Sequence, residues 1–386
     1  MSRPLLYASQ AFEEIRHAYQ NRHSAAKSLV NGKKPIGCLG SDVPEELVMA
    51  AGFLPVRVFG SIAGGTAMAD RYLEKGFDPL IRAQFEQIVN GAYRDLDHVI
   101  ISNSSDALIR VFYYLRAMRI KEPELRVPEP YFFDFLHSRR RMCGLYNRER
   151  AKALLSKLGE WRGKAVTEAE LREAIAVLNE TRRLLGRMAE HRTRPEPRIS
   201  GAHALQIIGA AMVMPKTEFN ALLGRLLEDA DDFPPIKGTK LYVTGSPMDE
   251  PAFYEVVESC GAVIVGEDHE TGDRYYEGLV SETADPMDAI IDRYHYRRPS
   301  SSQATVSVRV QDLLDNVRKS GAQGVIVYIR QSDDAPSWDY PEQRKALEAA
   351  GIPLLLIDRQ SYSISDPVAL KNKVEAFLQS MNGGSA

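Results

Sequence analysis

Residues Gly32–Gly60, GKKPIGCLGSDVPEELVMAAGFLPVRVFG, carry the clearest fold signal in this chain. The apolar run 36–39 predicts a short strand, and the Gly-Ser-Asp sequence after it predicts a tight turn. The segment 44–51 predicts a helix, and the apolar run 54–58 predicts a second strand. A strand, a turn, a helix and a second strand in this order are typical of the opening of an α/β domain.

The helix in this stretch carries its own start and stop signals. Pro44 is predicted at the first helical position, where its missing N–H costs nothing and its fixed φ is already helical. Glu45 and Glu46 follow in the first turn, where the helix dipole favours negative charge. Gly52 predicts the end of the helix. Because these signals agree, local physics alone predicts the secondary structure of the stretch.

Length and composition limit what the chain can be. Its 386 residues, 44% hydrophobic and 26% charged, predict a globular protein of two or three domains. The net charge of -3 provides no basic field for nucleic acid. No apolar run approaches the roughly 18 to 20 residues needed to span a bilayer. The apolar part of the first residues is too short for a signal peptide. We therefore expect a cytoplasmic protein that binds neither nucleic acid nor a membrane.

The cysteines predict no recognisable metal or disulfide framework. Cys38, Cys143 and Cys260 lie far apart in the sequence, and none of them forms a C-x-x-C pair. Zinc and ferredoxin-type sites need such spacing. We expect three buried or half-buried thiols.

The pattern along the chain divides it into four parts. An amphipathic lead-in helix is predicted within residues 5–30. The alternation of strands and helices that follows predicts a parallel sheet with crossover helices. The chain then turns helical, with Thr167 and Glu170 fitting a capping box, before a second α/β unit begins. The predicted parts are 1–33, the lead-in helix; 34–134, the first α/β domain; 135–236, a helical segment; and 237–386, the second α/β domain.

Individual elements follow from the same patterns. Strands are predicted at 35–39, 54–59, 98–102, 240–244, 262–266, 324–329 and 353–357. Helices of the two α/β domains are predicted at 44–51, 79–93, 106–119, 250–259, 283–293, 308–319, 341–350 and 366–381.

Ligands of open parallel sheets bind outside the carboxyl ends of the strands, where the strand order reverses. The loops predicted at these ends are rich in Gly, Ser, Asp and Asn, as a polar rim would be. They are 40–44, 60–66, 102–106, 245–250, 267–274 and 330–340.

The opening stretch, with PEEL, AAG and LPV in this order, resembles the start of the 2-hydroxyacyl-CoA dehydratase and benzoyl-CoA reductase family. The resemblance continues over nearly the whole chain. It implies two flavodoxin-like parallel-sheet domains joined by a helical segment. It also implies a complex in which two related α/β subunits enclose an acyl-CoA thioester, while a separate ATP-dependent iron–sulfur activator protein supplies low-potential electrons.

Members of this family that hold a [4Fe-4S] cluster do so with three separated cysteines, and none of the three is present here. FDPLIRAQ places Asp78 at the first ligand position, VIISNSSDALIR places Ser105 at the second, and VIVYIRQSDDAPSWDYP places Asp333 at the third. Thiolate is the ordinary ligand of such clusters, whereas carboxylate and hydroxyl oxygens suit hard cations. The resemblance thus implies that this chain binds no cluster through the family ligands and that a related partner subunit carries it. A hard-metal site at these three oxygens, in a homodimeric dehydratase, stays open.

Four residues are candidates for binding the substrate: Ser104, Ser105, Arg274 and Arg57. Arg274 matches a family arginine and would contact a CoA phosphate or a partner. The alternative is a surface arginine or an ion pair with Glu267 or Asp268. Arg57 either points into the cleft or has a structural role.

Two further features carry weaker signals. The run Ser138–Arg141 would receive a CoA phosphate or anionic nucleic acid, or form a solvated helix face, which we favour. His137 and His269 are the histidines nearest the predicted rims, and both are expected at the surface. No nucleotide-hydrolysis or dinucleotide motif is present.

We therefore expect a subunit of an acyl-CoA-processing complex of the benzoyl-CoA reductase type, in a heterodimer with a related α/β subunit. This chain would shape the thioester pocket, while the partner holds the [4Fe-4S] cluster. An Arg- and Ala-rich composition indicates a GC-rich genome, and this favours the reductase branch because the resemblance places that branch in aromatic-degrading bacteria. The alternatives are a 2-hydroxyacyl-CoA dehydratase subunit and a cluster-free paralogue that acts as a binding or assembly protein.

Overall fold

Two four-stranded parallel sheets form the framework of this computed structural model. The structure describes Leu6 and residues 9–23, 32–61, 63–297 and 304–383. The strand orders are β2-β1-β3-β4 and β6-β5-β7-β8, so the two sheets repeat one topology. This arrangement is consistent with two flavodoxin-like domains and confirms the predicted α/β class.

The first sheet is built from the stretch that opened the sequence. Its strands are β1 (Pro35–Leu39), β2 (Leu54–Arg57), β3 (His98–Ser102) and β4 (Glu129–Phe133). Helices α2 (Glu45–Ala50), α3 (Pro79–Val89) and α4 (Asp106–Lys121) connect them, and α1 (Gln10–Gln20) precedes them. Every residue of β1 is buried, as expected of a central parallel strand that is covered on both faces.

The second sheet repeats this pattern. Its strands are β5 (Thr239–Gly245), β6 (Ala262–Glu267), β7 (Gly324–Arg330) and β8 (Leu354–Gln360). The helices of this part are α9 (Ala252–Ser259), α10 (Pro286–Tyr296), α11 (Val306–Ser320), α12 (Asp334–Ala349) and α13 (Pro367–Gly383).

Four helices lie between the two sheets in sequence: α5 (Arg141–Arg162), α6 (Glu168–Thr193), α7 (Gly201–Ala211) and α8 (Lys216–Glu228). The predicted capping box is present, because the Thr167 side chain accepts from the Glu170 N–H and the Glu170 side chain accepts from the Thr167 N–H. Helix α10 belongs to the second α/β part of the sequence but packs against the first sheet. Its residues Ile290 and Tyr294 lie in the same core cluster as Ile36 of β1. The parts of the chain thus share a core, and the domain limits stay a prediction.

The structure corrects several predicted boundaries. Pro44 is the residue before α2, with an extended ψ of 103°, so the helix begins at Glu45. Strand β4 was missed because Pro130 weakens the strand pattern, and β4 tolerates the proline because it is an edge strand. Helix α12 begins at Asp334 rather than at 341 and contains Pro341. Strand β2 ends at Arg57.

The predicted lead-in helix is described only in part. Helix α1 covers Gln10–Gln20, with Phe12, Ile15 and Tyr19 buried as its amphipathic pattern requires. Residues 24–31 of the predicted lead-in part lie outside the described residues. In the described part of the chain, no helix is both long enough and apolar enough to cross a membrane.

Candidate functional site

A cavity of about 510 Å³ lies where residues from the carboxyl ends of both sheets come together. Ser41 and Ser104 follow β1 and β3 of the first sheet, while Gly245 and Arg330 end β5 and β7 of the second. These strand pairs are the points where the strand order reverses in each sheet. Such points are where open parallel sheets bind ligands. The cavity therefore occupies the place that the topology alone predicts.

The cavity contains most of the residues predicted from the sequence. Those that line it are Asp78, Ser104, Ser105, Arg274 and Asp333. Arg57 does not line it and belongs to a separate polar pocket with Glu45 and Arg182.

Ser104 and Ser105 have different local roles. The Ser104 hydroxyl accepts from the Ser41 N–H at 3.3 Å and lies 3.2 Å from the Ser102 hydroxyl. Gly40 faces this cluster with a φ of +92°, and an added Cβ would lie 2.3 Å from the Ser102 Oγ. A glycine is therefore required to bring the two strand ends this close. Ser105 precedes α4, and its hydroxyl accepts from the Leu108 N–H at 3.3 Å.

Asp78 and Asp333 converge on the buried side chain of Arg330. The Arg330 guanidinium donates to both carboxylate oxygens of Asp78, at 3.0 and 2.8 Å. It lies 3.6 Å from an Asp333 oxygen and also donates to the Pro247 carbonyl. Burial and the charge of Asp78 raise the pKa of Asp333. Because Asp78 belongs to the first sheet region and Arg330 to the second, this ion pair bridges the cavity.

Arg274 is buried in the cavity wall rather than solvated, with 5% of its surface exposed. Burial and the neighbouring Arg297 lower its pKa to about 10, so its guanidinium stays charged at neutral pH. Glu267, one of the two acids considered as its ion-pair partner, pairs with Arg192 at 2.6 Å. Asp268, the other acid considered, accepts from the Thr244 hydroxyl at 2.6 Å. The expectation of a surface arginine is therefore wrong.

A buried polar cluster supports the turn after β1. Asp42 is fully buried, pairs with Arg297, and has one carboxylate oxygen 2.8 Å from Nε2 of His137. Burial alone would raise the pKa of Asp42, but Arg297 and His137 outweigh it and hold the pKa well below its ordinary value. His137 is thus a partly buried partner of this cluster and not a free surface residue.

His269 was expected at the surface and is buried instead. Its two ring nitrogens lie 2.8 Å from the Tyr254 hydroxyl and 3.0 Å from the Thr271 hydroxyl. Burial, opposed by Asp273 and reinforced by Arg330, lowers its pKa to about 3. His269 is therefore a neutral side chain at neutral pH.

Arg57 connects two backbone segments and so has a structural role. It is 6% exposed, its side chain donates to the Gly40 carbonyl, and its backbone N–H donates to the Met212 carbonyl.

The three cysteines have the burial that was predicted for them. Cys38, on the strand next to Arg57, is buried, and burial raises the pKa of its thiol to about 12. Cys143 and Cys260 are half-buried, so the prediction for the three thiols is confirmed.

The residues of the arginine run do not line this cavity. Arg139 and Arg140 precede α5 and Arg141 begins it, so only part of the run is helical. All three residues are exposed, and Arg139 donates to the Arg297 carbonyl at 2.9 Å.

Acidic side chains dominate the cavity lining. The acids are Asp78, Asp106, Asp268, Glu270, Asp312, Asp333, Asp334 and Asp339, and the arginines are Arg274, Arg309 and Arg330. Like charges in a partly desolvated cavity repel. The phosphates of a nucleotide are therefore disfavoured here, whereas an uncharged thioester end is not.

The three positions that match the family's cluster ligands do not fit a [4Fe-4S] cluster. They present two carboxylates and a hydroxyl, and cluster iron is ordinarily held by thiolates. The Asp78 carboxylate already accepts from Arg330 and from the Leu80 N–H at 2.8 Å. The Arg330 guanidinium thus provides a positive charge next to both Asp78 and Asp333.

The sequence placed Ser41 and Arg330 within the predicted rim loops 40–44 and 330–340 but did not single them out as site residues. Arg330 is the only charged residue of the otherwise apolar, fully buried strand β7, and two aspartates follow it closely. A charged residue at the end of a buried strand needs a partner, which was the available signal. Nothing in the sequence identified Asp78, 252 positions away, as that partner.

Comparison with known proteins shows which family this chain matches. The family profile described as "2-hydroxyglutaryl-CoA dehydratase, D-component" matches residues 40–381. The beta subunit of (R)-phenyllactyl-CoA dehydratase from Clostridium sporogenes is 26% identical over 91% of this chain and 92% of that protein.

Two further relatives show the spread of activities. The beta subunit of (R)-2-hydroxyglutaryl-CoA dehydratase from Acidaminococcus fermentans is 25% identical over 92% of this chain and 94% of that protein. A benzoyl-CoA reductase subunit from Thauera aromatica is 24% identical over 76% of this chain and 77% of that protein. These three relatives are thus subunits of two dehydratases and of a reductase, each named for a CoA thioester.

Proposed function

Because the chain belongs to the 2-hydroxyglutaryl-CoA dehydratase D-component family, we propose that it is the cluster-free subunit of an acyl-CoA-processing complex. Its cavity between the two sheets would form one wall of the thioester site. A related α/β subunit would complete the site and carry the [4Fe-4S] cluster, and an ATP-dependent iron–sulfur activator protein would supply electrons. The observation that carries the proposal is the convergence of Asp78, Ser104, Ser105, Arg274 and Asp333 on one cavity.

The chemistry assigned to this chain is binding, orientation and the exclusion of water. Ser104 and Ser105 provide short hydroxyls at the strand ends, and Arg274 provides a buried positive charge. A carbonyl oxygen that gains negative charge during electron transfer is stabilised by such fixed donors in a water-poor site. The acidic lining disfavours the phosphates of CoA, which leaves the uncharged thioester end as the part that enters the cavity.

Two reactions fit this assignment. Reduction of an aromatic acyl-CoA is the expectation from the sequence, supported by the similarity to the benzoyl-CoA reductase subunit. Dehydration of a 2-hydroxyacyl-CoA is the second candidate, favoured by the longer matches to the dehydratase beta subunits. Both reactions use a CoA thioester, so the binding proposal holds for either one.

Calorimetry with benzoyl-CoA, phenyllactyl-CoA and free CoA tests the binding role on the complex with its related subunit. Ala335 lines the cavity in the first turn of α12, so Ala335→Trp fills part of it. We expect at least a tenfold loss of thioester affinity, corresponding to about 1.4 kcal/mol. Ala349→Trp, at the exposed opposite end of the same helix, is the matched control. Equal thioester affinity in both variants would exclude this cavity as the site.

Anaerobic co-expression with the related subunit tests which of the two subunits carries the [4Fe-4S] cluster. We expect the iron and acid-labile sulfide to remain with the partner when the chains are separated. About four irons per copy of this chain, the content of one cubane cluster, would contradict the cluster-free assignment. Failure of a related subunit to co-purify would contradict the heterodimer. The products formed with activator and ATP then distinguish reduction from dehydration.

A further inference from the structure

A small polar pocket lies beside the turn that follows β1, next to the proposed thioester cavity. Its volume is about 20 Å³, and Ser41 lines both cavities. A space of this size holds one species about as large as a water molecule. Four buried arginines line the pocket: Arg57, Arg182, Arg293 and Arg297. The pocket is therefore a confined space with several positively charged groups in its walls.

The buried acids around this pocket are already paired with cations. Glu45 is the acid among the residues that line the pocket, and Nζ of Lys216 lies 2.9 Å from it. The pairs in this region are Glu46–Arg182, Asp42–Arg297 and Glu45–Lys216. Two of the four arginines in the lining thus have a carboxylate partner.

The other two arginines, Arg57 and Arg293, have no such partner. Among the described residues, no carboxylate oxygen lies within 4.0 Å of either guanidinium group. The rest of the chain contains no aspartate and no glutamate. The side chain of Arg57 donates to the Gly40 carbonyl, and that of Arg293 donates to three backbone carbonyls at 2.9–3.0 Å. A buried charge without an opposite charge beside it is costly, so this region favours an added anion.

Both arginines stay charged at neutral pH although they are buried. Burial and the neighbouring Arg182 lower the pKa of Arg293 to about 10, which is still far above neutrality. Burial disfavours the charged form of Arg57 as well, but the more distant Glu270 and Glu45 outweigh burial and raise its pKa. The pocket therefore contains two guanidinium cations without a counter-ion in contact.

Each of these two arginines also has a nitrogen that a ligand can reach. In the described part of the chain, Nη2 of Arg57 and Nη1 of Arg293 form no hydrogen bond, and neither belongs to the unpaired polar atoms that have lost their accessible surface. The two residues are only 6% and 7% exposed, and both line this pocket but not the thioester cavity. These N–H donors are therefore accessible to an ion in the pocket.

We propose that this pocket binds a monovalent inorganic anion of about the size of a water molecule, such as chloride, between Arg57 and Arg293. The anion accepts hydrogen bonds from both guanidinium groups and compensates their charges. A water molecule satisfies the hydrogen bonds but leaves the charges uncompensated. Carboxylate, phosphate and sulfate groups contain several non-hydrogen atoms and exceed the space.

The anion connects two walls of the proposed thioester cavity. Arg57 donates to the carbonyl of Gly40, next to Ser41, and Arg293 donates to the backbone of the loop that follows Arg274. Both Ser41 and Arg274 line that cavity. The anion site is separate from the cavity, and it does not depend on whether the cavity binds a thioester.

Thermal unfolding of the intact protein in sodium chloride and in sodium gluconate tests binding at constant ionic strength. Gluconate is too large for the pocket, so it provides the ionic strength without the ligand. Replacing gluconate with chloride at about 100 mM should raise the unfolding midpoint by about 2–4 °C, because an ion that binds only the native state stabilises it. Equal midpoints in the two salts would overturn the proposal.

Two variants show whether the stabilisation belongs to this pocket. Arg57→Met and Arg293→Met each remove one of the two charges, so each should lose most of the chloride-dependent rise in midpoint, whatever its stability in gluconate. Arg344→Met, at an exposed position of α12, is the matched control and should keep the wild-type rise. A full chloride-dependent rise in both pocket variants contradicts the proposal.

Bromide locates the ion in the wild-type protein, so this measurement does not depend on the folding of any variant. Bromide replaces chloride and scatters X-rays anomalously. Crystals soaked in sodium bromide should show an anomalous peak within hydrogen-bond distance of Nη2 of Arg57 and Nη1 of Arg293. The absence of this peak means that the pocket holds water only. A peak without chloride-dependent stabilisation means an adventitious ion only, and either result overturns the proposal.

Discussion

At the scale of single residues, the acids of the opening stretch have a role that their position in a helix does not reveal. Glu46 is completely buried, pairs with Arg182 and accepts from the Tyr294 hydroxyl at 3.1 Å. Glu45 lies 2.9 Å from Nζ of Lys216. The sequence predicts both acids in the first turn of a helix. In the tertiary structure they form ion pairs with Arg182 and Lys216, which belong to helices far away in the sequence. Such pairs contribute little net stability but are costly to break.

His269 gives a prediction on the same scale. Its pKa is lowered from 6.5 to about 3 in the folded protein. As the pH falls through 6.5, His269 becomes protonated in the unfolded chain but stays neutral in the native protein. The free energy of unfolding therefore decreases until the native histidine is protonated near pH 3. This group contributes up to about 1.4 kcal/mol per pH unit to that loss.

Urea denaturation between pH 7 and pH 4 tests this contribution, because this range includes the unfolded pKa of 6.5 and stays above the native pKa of about 3. His269→Gln should reduce the slope of the unfolding free energy against pH, whatever its effect on stability at neutral pH. His17→Gln, at an exposed position, is the control and should keep the wild-type slope. An unchanged slope in His269→Gln would show that folding does not lower the pKa of His269.

At the scale of elements, close contact between helices depends on a glycine. Gly209 in α7 faces Tyr19 of α1, and an added Cβ would lie 2.5 Å from two ring carbons. The Tyr19 hydroxyl in turn donates to the Asp249 carbonyl at 2.5 Å. The amphipathic pattern predicted that α1 buries Tyr19, but it did not predict the glycine that receives the ring.

Two glycine-to-alanine changes should therefore have opposite effects. Gly209→Ala should destabilise the protein by about 1–3 kcal/mol, because the ring must move. Gly224→Ala in α8, where no described atom outside the helix lies within 4 Å of the new Cβ, should stabilise it by about 0.5–1 kcal/mol. Chemical denaturation measures both changes, and the same sign for both would contradict the packing argument.

At the scale of the whole molecule, a buried ion pair connects the two sheets across the cavity. Arg330 ends β7 and Asp78 precedes α3, and their side chains are 2% and 15% exposed. Breaking one partner of a buried pair costs about 3–5 kcal/mol, since the other charge is left without compensation. This pair is therefore one of the contacts that hold the two sheet regions together.

A double-mutant cycle with Asp78→Asn and Arg330→Met measures the coupling within this pair. Asparagine still caps α3, so Asp78→Asn mainly removes the charge. Each single variant should lose several kcal/mol, and the double variant should recover more than about 1 kcal/mol of the summed loss. The exposed pair Arg344–Glu348 is the control cycle, with an expected coupling of about 0.3–0.5 kcal/mol. Additive losses in the first cycle would show that the pair does not couple the sheets.

Local sequence patterns were sufficient to predict the α/β class, both parallel sheets and the loops that carry the cavity. Periodicity, caps and turns are signals between neighbouring residues, so the first strand of the opening stretch and the capping box at Thr167 were predictable. Edge strand β4 was not predicted, because its proline weakens the local pattern and only pairing with β3 compensates.

Which side chains meet was settled by tertiary folding alone. Arg330 pairs with Asp78, which is 252 positions away in the sequence, and Glu46 pairs with Arg182, which is 136 positions away. His269 is buried although its loop has a polar sequence. These pairings arise because the two sheets and the helices between them fold against one another, and no local pattern encodes contacts over that separation.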